Sequence, residues 1–258
     1  MIFAFIRKYA AIIGFLGLWE GLSRLRVIDP LFFPPFTQVV AEIVHLLRIG
    51  VLGPQIKASL QRAIPGFLLA TLMGVPLGLL LGSWFKTLTN YLELPLEIFS
   101  QLNPFLLFHI IILFMGIGEA PKVTIVAWTC LWPIVFSSMS GAAQVNPSLL
   151  KSGRAFGLSR LGLLRKITWP AASPVVFAGI RLSLGYSLFM LIAAEMMGAS
   201  SGLGFMVQRT QETFQLDRLY AAVTVIAFLG LILDASLQLL GRAFLYTKLE
   251  NYVNTPGD

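Results

Sequence analysis

The sequence has little charge, one cysteine and two histidines, and each scarcity excludes a class of protein. Only 12% of its 258 residues are charged whereas 57% are hydrophobic, which leaves too little polar surface to cover a soluble globule. The single cysteine, Cys130, excludes an internal disulfide and a multi-cysteine metal site. His45 and His109 lie far apart, and neither an H-E-x-x-H motif nor a G-x-x-x-x-G-K-[ST] phosphate-binding loop is present. The composition therefore predicts an integral membrane protein without a catalytic or metal site of its own.

The charge that is present is mostly positive and lies beside apolar runs. Nineteen Lys and Arg residues against twelve Asp and Glu residues give a net charge of +7. A net positive charge can indicate nucleic-acid binding. Here, however, the cations lie at the margins of apolar segments, which is where the positive-inside rule and anionic lipid headgroups place them. The cations therefore indicate contact with membrane lipid and argue against a nucleic-acid partner.

Six apolar segments, some of them interrupted, are candidates for helices that cross a bilayer, which needs about 18 apolar residues. They lie near residues 9–23, 64–84, 94–115, 123–139, 175–197 and 220–246. The first follows cations, as a signal peptide would, but lacks a small-residue cleavage site and is interpreted as an uncleaved span. Since no internal repeat appears, we expect one transmembrane domain over residues 1–258.

An amphipathic segment separates the first two spans. Its apolar residues recur at helical spacing and alternate with polar ones, which predicts a helix at a membrane interface. These apolar residues are Val39, Val40, Ile43, Leu46 and Leu47.

The placement of Lys and Arg predicts the orientation of the chain. If both termini are cytoplasmic, most cations fall in cytoplasmic segments, as the positive-inside rule requires. These cations are Arg7, Lys8, Lys86, Lys248 and five residues of a loop at about 141–174. The short outer loops then hold only Lys122, Arg209 and Arg218. The segment after the first span is an exception, because it places five cations outside: Arg24, Arg26, Arg48, Lys57 and Arg62.

The loop at about 141–174 is the most basic part of the chain and has no carboxylate. Its cations are Lys151, Arg154, Arg160, Arg165 and Lys166. Pro147 is suited to open a helix, Gly157 to cap it in a left-handed conformation, and Ser159 to N-cap a second helix that ends at Pro170. We call this predicted helical hairpin, residues 147–169, the knob. It is either a passive lipid-facing anchor or a docking surface for another protein.

The loop resembles the EAA cytoplasmic loop of ABC-importer permeases. The resemblance rests on the triplet Gly141-Ala142-Ala143, the segment AFGLSR around Gly157, and the ending at Pro170. Gly141 replaces the leading Glu of the family, as is common in the branch that moves sulfonates, taurine, nitrate and bicarbonate. Four other segments resemble this branch in order: LFFPPFTQVV, FMGIGEAPK, GIRLSLGYSLFMLIAAEMMGASSGLGFMVQ and DASLQLLGR. They extend the resemblance over residues 31–246, and it is closest to the taurine and sulfonate permeases.

This resemblance implies a fold and a function. The fold would be the all-α type I ABC importer permease fold, with six transmembrane helices, in a bacterial inner membrane. The chain would be the permease subunit of an ATP-driven importer that receives a small anion, taurine or another sulfonate, from an extracytoplasmic solute-binding protein and releases it by alternating access. The alternative is a secondary transporter driven by an ion gradient, although the inverted repeats typical of that class are not found.

Partners and site residues also follow from the resemblance. The partners would be a second copy of the chain and two cytoplasmic ATPase subunits, which would bind ATP and Mg²⁺, so that this chain holds no cofactor. The knob would be the coupling helix, with six docking residues: Leu150, Arg154, Ala155, Phe156, Gly157 and Leu158. The third to fifth spans would surround the solute path, whose candidate residues are His109, Ser183, Tyr186, Ser187 and Glu195.

Four ionisable residues inside the predicted spans carry separate expectations, because a charge in a bilayer is costly. We expect Glu195 to pair with a backbone N–H or an outer-loop cation, and Asp234 to serve helix packing. Arg181 is expected to extend toward the cytoplasmic surface. His109 stands where the family usually has Pro, and two hypotheses remain for its side chain. It either donates a hydrogen bond to a neighbouring helix or offers a donor to a passing solute.

Overall fold

The computed structural model describes residues 2–84 and 86–253, and its regular structure in these ranges is helical. Most of the chain lies in helices because its long apolar runs are interrupted only by short turns. The helices are α1 (Ile2–Arg24), α2 (Phe36–Arg48), α3 (Leu52–Ser83), α4 (Lys86–Ser100), α5 (Pro104–Met115), α6 (Glu119–Ala143), α7 (Pro147–Ala155), α8 (Arg160–Leu163), a π-helical turn (Leu164–Thr168), α9 (Trp169–Gly198), α10 (Leu203–Glu212) and α11 (Leu216–Val253).

Four helices among the described residues are long and apolar enough to cross a membrane. They are Leu52–Ser83, Glu119–Ala143, Arg160–Gly198 and Leu216–Gly241. A fifth crossing results if Tyr91–Ser100 and Pro104–Met115 form one broken span. The predicted first span, residues 9–23, lies within α1, where several side chains are outside the described residues. The multi-span prediction is therefore confirmed with four or five crossings, and the count of six stays a prediction.

The third predicted span, residues 94–115, is broken in the structure. The two helices in this region are bent by 83° at their break. Asn103 adopts an extended backbone before Pro104, because a residue that precedes proline avoids the helical region. The Asn103 side chain then accepts a hydrogen bond from the Phe105 N–H at 2.9 Å and caps α5. The Asn-Pro pair was the sequence signal for this break.

The chain forms two compact units, one of Met1–Ser59 with Glu195–Leu229 and one of Leu60–Ala194 with Gly230–Asp258. In the first unit, α2 confirms the predicted amphipathic helix. Val39 and Leu46 of this helix are buried inside the protein. Its apolar side therefore packs partly on protein and does not face lipid alone. Its Glu42 accepts a hydrogen bond from the Arg218 Nε at 3.0 Å. The single domain over residues 1–258 stays a prediction.

In the second unit, α3 and α6 approach closely along an edge of small residues. This edge recurs every four residues on α3 at Gly66, Ala70, Gly74, Gly78 and Gly82. A Cβ atom added to Gly78 would collide with the Val135 carbonyl oxygen, and one added to Gly82 with that of Met139. Small residues at this spacing allow two membrane helices to pack backbone against backbone.

The opposite side of α6 packs on α9 through further small side chains. A Cβ atom on Gly141 would lie 3.1 Å from the Ala172 carbonyl oxygen. Midway along the two helices, the Ser183 hydroxyl donates to the Cys130 carbonyl at 3.0 Å, and the Cys130 Sγ donates to the Ser183 carbonyl at 3.3 Å. Helix α6 is therefore held between α3 and α9.

The close contact of α3 with α6 predicts the effect of one methyl group. We expect Gly78→Ala to lower the thermal unfolding midpoint of the purified chain in detergent. Overpacking costs about 1–3 kcal/mol, which exceeds the roughly 0.5–1 kcal/mol that alanine gains over glycine in a helix. Gly53→Ala on the same helix is the matched control, because nothing lies within 4 Å of its added carbon. Equal midpoints for the two variants would contradict the proposed contact.

Candidate functional site

The knob begins with a capped helix, as the sequence predicts. The Asn146 side chain accepts a hydrogen bond from the Ser148 N–H at 2.9 Å, and Pro147 occupies the first helical position. Asparagine at the N-cap satisfies a backbone donor that the helix leaves free, and proline at the next position loses none. The prediction that Pro147 opens this helix is confirmed.

Gly157 reverses the chain at the end of α7. Its φ is 75°, in the left-handed region that glycine adopts at the least cost. The Gly157 N–H donates to the Arg154 carbonyl at 2.9 Å, and the Leu158 N–H donates to the Gly153 carbonyl at 3.1 Å. Nothing lies within 4 Å of a Cβ atom added to Gly157. The predicted left-handed cap is therefore confirmed, and the backbone conformation rather than space requires glycine.

The second half of the knob differs from the prediction at its end. Ser159 caps α8 as expected, since its Oγ accepts from the Gly162 N–H at 3.2 Å. The helix does not end at Pro170, however, but continues through the π-helical turn Leu164–Thr168 into α9. Proline breaks a helix through a missing N–H and a clash with the carbonyl one turn earlier. The wider π turn directly before Pro170 relieves that clash, so the helix continues into the membrane.

The two halves of the knob pack together at Gly153, a residue that the sequence analysis did not single out. Gly153 is buried in α7, where an added Cβ atom would lie 2.5 Å from the Ile167 Cδ1 and 2.7 Å from the Leu163 Cδ2. The two halves of the knob therefore pack directly on each other. The available signal was a glycine inside a short helix, which costs about 1 kcal/mol relative to alanine and indicates a packing need.

The predicted docking residues fall into an exposed and a half-buried group. Phe156 at the tip is 87% exposed, and Arg154, Ala155 and Gly157 are also exposed. The two leucines, Leu150 and Leu158, are half-buried. The tip thus presents an aromatic ring beside a cation on a rigid turn.

The residues predicted as the start of the motif lie outside the knob. Gly141 and Ala142 are buried in the last turn of α6, and Ala143 is the exposed final residue of that helix. Because α6 ends at Ala143 and α9 begins at Trp169, the connection is shorter than the predicted 141–174. Gly141 has a packing role against α9, which explains why a small residue is required there.

A cavity of about 800 Å³ lies in the second unit, between residues of α4, α6 and α9. Three rings of α6 line it, namely Trp128, Trp132 and Phe136. Of the predicted path residues, Tyr186 lines this cavity. Ser183 and Ser187 are buried instead, and their hydroxyls donate to backbone carbonyls of Cys130 and Leu184. In this conformation the Ser183 hydroxyl joins α9 to α6, and the Ser187 hydroxyl bonds within α9.

Among the residues that the structure describes, His109 bonds within its own helix and not to a neighbouring one. Its side chain is exposed, and its Nδ1 lies 2.9 Å from the Phe105 carbonyl oxygen, one turn earlier in α5. Because a carbonyl oxygen can only accept, the Nδ1 atom is the donor in this hydrogen bond. The packing hypothesis for His109 is therefore corrected to a bond within its own helix.

Glu195 forms the predicted pairing with a backbone N–H. Its carboxylate is fully buried in the first unit and accepts from the Gly204 N–H at 2.9 Å. The Ser59 hydroxyl lies 2.8 Å and 2.9 Å from its two oxygens and also accepts from the Leu203 N–H at 2.9 Å. The carboxylate thus anchors the start of α10, where a negative charge is favourable.

Arg181 and Asp234 form an ion pair that sequence reasoning missed. The Arg181 Nε lies 2.6 Å from one Asp234 oxygen, and its Nη2 lies 2.9 Å from the other. The Gln238 amide donates to the same carboxylate at 2.7 Å. A bidentate carboxylate therefore satisfies the charge of Arg181, and the expectation that its side chain extends toward the cytoplasmic surface stays a prediction.

A second unpredicted cluster lies at the start of α6. Arg62 and Lys122 are buried, and both contact the exposed carboxylate of Glu119. The Lys122 Nζ lies 3.2 Å from one Glu119 oxygen. The Glu119 carboxylate therefore neutralises part of the charge of Arg62 and Lys122, two cations for which the sequence indicated no partner.

Comparison with known proteins gives matches over most of the chain. The family model described as "Binding-protein-dependent transport system inner membrane component" matches residues 74–246. The chain is 30% identical over 237 residues to the taurine transport system permease protein TauC of Escherichia coli (strain K12), which covers 88% of this chain and 84% of that protein. It is 31% identical over 183 residues to the nitrate import permease protein NrtB of Synechocystis sp., with 71% and 66% covered.

A solved structure has a similar fold. A chain of the inward-facing MetNI methionine ABC transporter superposes with a TM-score of 0.66. The match covers 78% of this chain and 97% of that chain. At 17% sequence identity this likeness shows the fold alone.

The Arg181–Asp234 pair predicts non-additive effects of substitution. Asp234→Leu should lower the thermal unfolding midpoint and the membrane yield, because it leaves a guanidinium without its carboxylate in a span. Arg181→Leu should also lower the unfolding midpoint and the membrane yield, because it leaves the Asp234 carboxylate without its guanidinium partner. The double variant should be more stable than either single variant, since it removes both charges together. Additive losses in unfolding measurements would refute the pairing.

Proposed function

Because the chain belongs to the family of binding-protein-dependent transport system inner membrane components, we propose that it is the transmembrane permease subunit of an ATP-driven importer. It moves a small organic or inorganic anion, with taurine or another sulfonate favoured, from a solute-binding protein into the cytoplasm. The family match over residues 74–246 supports the importer role, and the similarity to a taurine permease supports the solute class. The multi-pass helical fold supports a location in the inner membrane.

The knob is the observation that carries the proposal. A surface that receives force from another protein must be rigid and must present an anchor. The Gly157 cap and the buried Gly153 supply the rigidity, and the exposed Phe156 ring beside Arg154 supplies the anchor. Aromatic residues and arginine are the side chains that most often carry the binding energy of an interface.

The ATPase of this importer is a separate subunit. The 258 residues contain no phosphate-binding loop, so ATP and Mg²⁺ are assigned to two cytoplasmic partner chains. Each partner receives the knob of one permease copy in a homodimer. Closure of the two ATPase subunits around ATP draws the knobs together, and the path opens toward the binding protein.

The proposed mechanism requires the knob to lie in the cytoplasm. The loop cations and the small number of outer cations support this orientation through the positive-inside rule. Both chain ends then lie in the cytoplasm, although Met1 and residues 254–258 are outside the described residues. Membrane lipid covers the outward apolar side chains of the spans.

A test of the proposed function measures ATP-driven uptake by the reconstituted complex. The permease, its ATPase and its binding protein are placed in proteoliposomes, and labelled taurine uptake is followed with and without ATP. We expect uptake to require ATP and Gly157→Val to reduce it about 5–30-fold, because a β-branched residue at positive φ costs roughly 1–2 kcal/mol. Gly157→Asn is the matched control, since asparagine tolerates this conformation, and it should retain most of the uptake.

Two results would contradict the proposal. Uptake that continues without ATP but stops when an ionophore removes the ion gradient would identify a secondary transporter. Normal uptake and normal ATPase co-purification with Gly157→Val would show that the knob does not couple the two proteins.

A further inference from the structure

A pocket of about 190 Å³ lies in the second unit, where two membrane-crossing helices end and a third begins. Ser83 and Trp84 line it at the end of α3, and Ala142 lines it in the last turn of α6. Thr168 lines it directly before α9, and other residues of the knob complete the wall. Because the ends of spans meet here, the pocket lies at the level of the membrane surface and not in the middle of the bilayer.

The charge of this pocket is entirely positive. Arg154 of α7 and Arg160 of α8 line it, and none of its lining residues is Asp or Glu. Among residues 2–84 and 86–253, neither arginine side chain takes part in an ion pair or a hydrogen bond. The knob itself contains no carboxylate that could neutralise them. The N–H donors of both guanidinium groups are therefore available to a group from outside the chain.

A buried hydroxyl in the pocket wall is a second, independent feature. Thr168 is only 3% exposed, yet its hydroxyl forms no hydrogen bond within the described part of the chain. The hydroxyl of Thr129, by contrast, donates to the carbonyl one turn earlier at 2.8 Å. In the described part of the chain, the side-chain atoms that are both sealed from solvent and unpaired belong to Trp128, Trp132 and Ser138. The unpaired Thr168 oxygen is not among them, so it keeps accessible surface for a partner, which a buried hydroxyl normally has.

Two guanidinium groups and a hydroxyl form a set of donors that suits phosphate. The planar guanidinium matches phosphate oxygens in bidentate pairs. A water molecule occupies about 30 Å³ in the liquid, so a pocket of about 190 Å³ has room for a group of this larger size. Basic pockets between membrane helices also bind the headgroups of anionic lipids. Tryptophan, here Trp84, is enriched at the same depth of the membrane.

We propose that this pocket binds a phosphate group at the membrane surface, carried by an anionic phospholipid or present as the free ion. Arg154 and Arg160 pair with the phosphate oxygens, and the Thr168 hydroxyl donates to the buried side of the group. The bound phosphate joins the two halves of the knob to each other and to the start of α9. This site is distinct from the solute cavity and from the Phe156 tip, so the inference goes beyond the proposed import function.

The test titrates the purified full-length chain, in a detergent without phosphate, with two probes. They are dihexanoyl phosphatidylglycerol and inorganic phosphate, and dihexanoylglycerol, which has the same chains but no phosphate, is the control ligand. Binding of the radiolabelled probes and the thermal unfolding midpoint are both measured, because a ligand that binds the folded chain raises this midpoint. We expect the phosphatidylglycerol to bind and raise the midpoint, and dihexanoylglycerol to leave the midpoint unchanged.

Variants of the pocket separate this site from general contact with lipid. Arg160→Gln should weaken phosphatidylglycerol binding about tenfold, the loss typical of one charge-assisted hydrogen bond. Thr168→Val keeps a similar shape without the hydroxyl and should weaken binding about 3–10-fold. Arg165→Gln is the matched control, because Arg165 is an exposed cation of the same segment that does not line the pocket. Arg154 is left unchanged, since it is also a predicted docking residue. The unfolding midpoint without a probe shows whether each variant is folded.

The two probes also distinguish the sources of the phosphate group. Displacement of the phosphatidylglycerol by inorganic phosphate would show that the phosphate group alone is sufficient. Binding of the phosphatidylglycerol alone, with the same loss in Arg160→Gln, would identify the lipid as the source. Two outcomes would overturn the inference: binding of neither probe, or equal binding of the phosphatidylglycerol by wild type, Arg160→Gln and Thr168→Val. ATP-driven uptake is measured separately, so either failure leaves the import function standing if uptake still requires ATP.

Discussion

The structure of the second unit depends on the backbone contact of α6 with its two neighbours. Glycines of α3 bring that helix against carbonyl groups of α6, and Gly141 and Gly179 bring α9 against its other side. Such contacts allow little adjustment, because backbone atoms cannot rotate away as a long side chain can. Reciprocal hydrogen bonds between Cys130 and Ser183 fix the register of α6 and α9. Helices α3, α6 and α9 therefore form one tightly packed group.

This group connects the knob and the cavity, the two features on which the proposed import cycle depends. The end of α6 leads directly into the knob, α9 leaves the knob without a break, and the middle of α6 carries the tryptophans of the cavity. A displacement of the knob would be passed along both helices, since the π-helical turn keeps α9 continuous past Pro170. In the proposed import cycle, ATP-driven movement at the knob changes the cavity walls through these helices and needs no separate hinge within them.

The sequence predicted those features that depend on local chemistry. Apolar length predicted the spans, and turn residues predicted both knob helices, since the Pro147 start, the Gly157 cap and the Ser159 cap each follow from one residue type. It failed where distant residues decide the structure. Arg181 and Asp234 pair across 53 positions of sequence, and the packing role of Gly153 depends on Ile167. The cavity was also missed, because it forms only where residues of α4 and α9 pack beside the aromatic residues of α6. The bend before Pro104 was readable from Asn103 and was overlooked in favour of apolar length.

The central claim is that the knob lies on the ATPase side of the membrane, and the accessibility of one position tests it most directly. Ser152 in the knob and Ser200 after α9 are both exposed, so a cysteine can be placed at either one in a Cys130→Ser background. Serine at position 130 retains a donor for the Ser183 carbonyl. A membrane-impermeant thiol reagent applied to intact cells should label Ser200→Cys at once and Ser152→Cys only after permeabilisation. Labelling of Ser152→Cys in intact cells would place the knob outside and contradict the account.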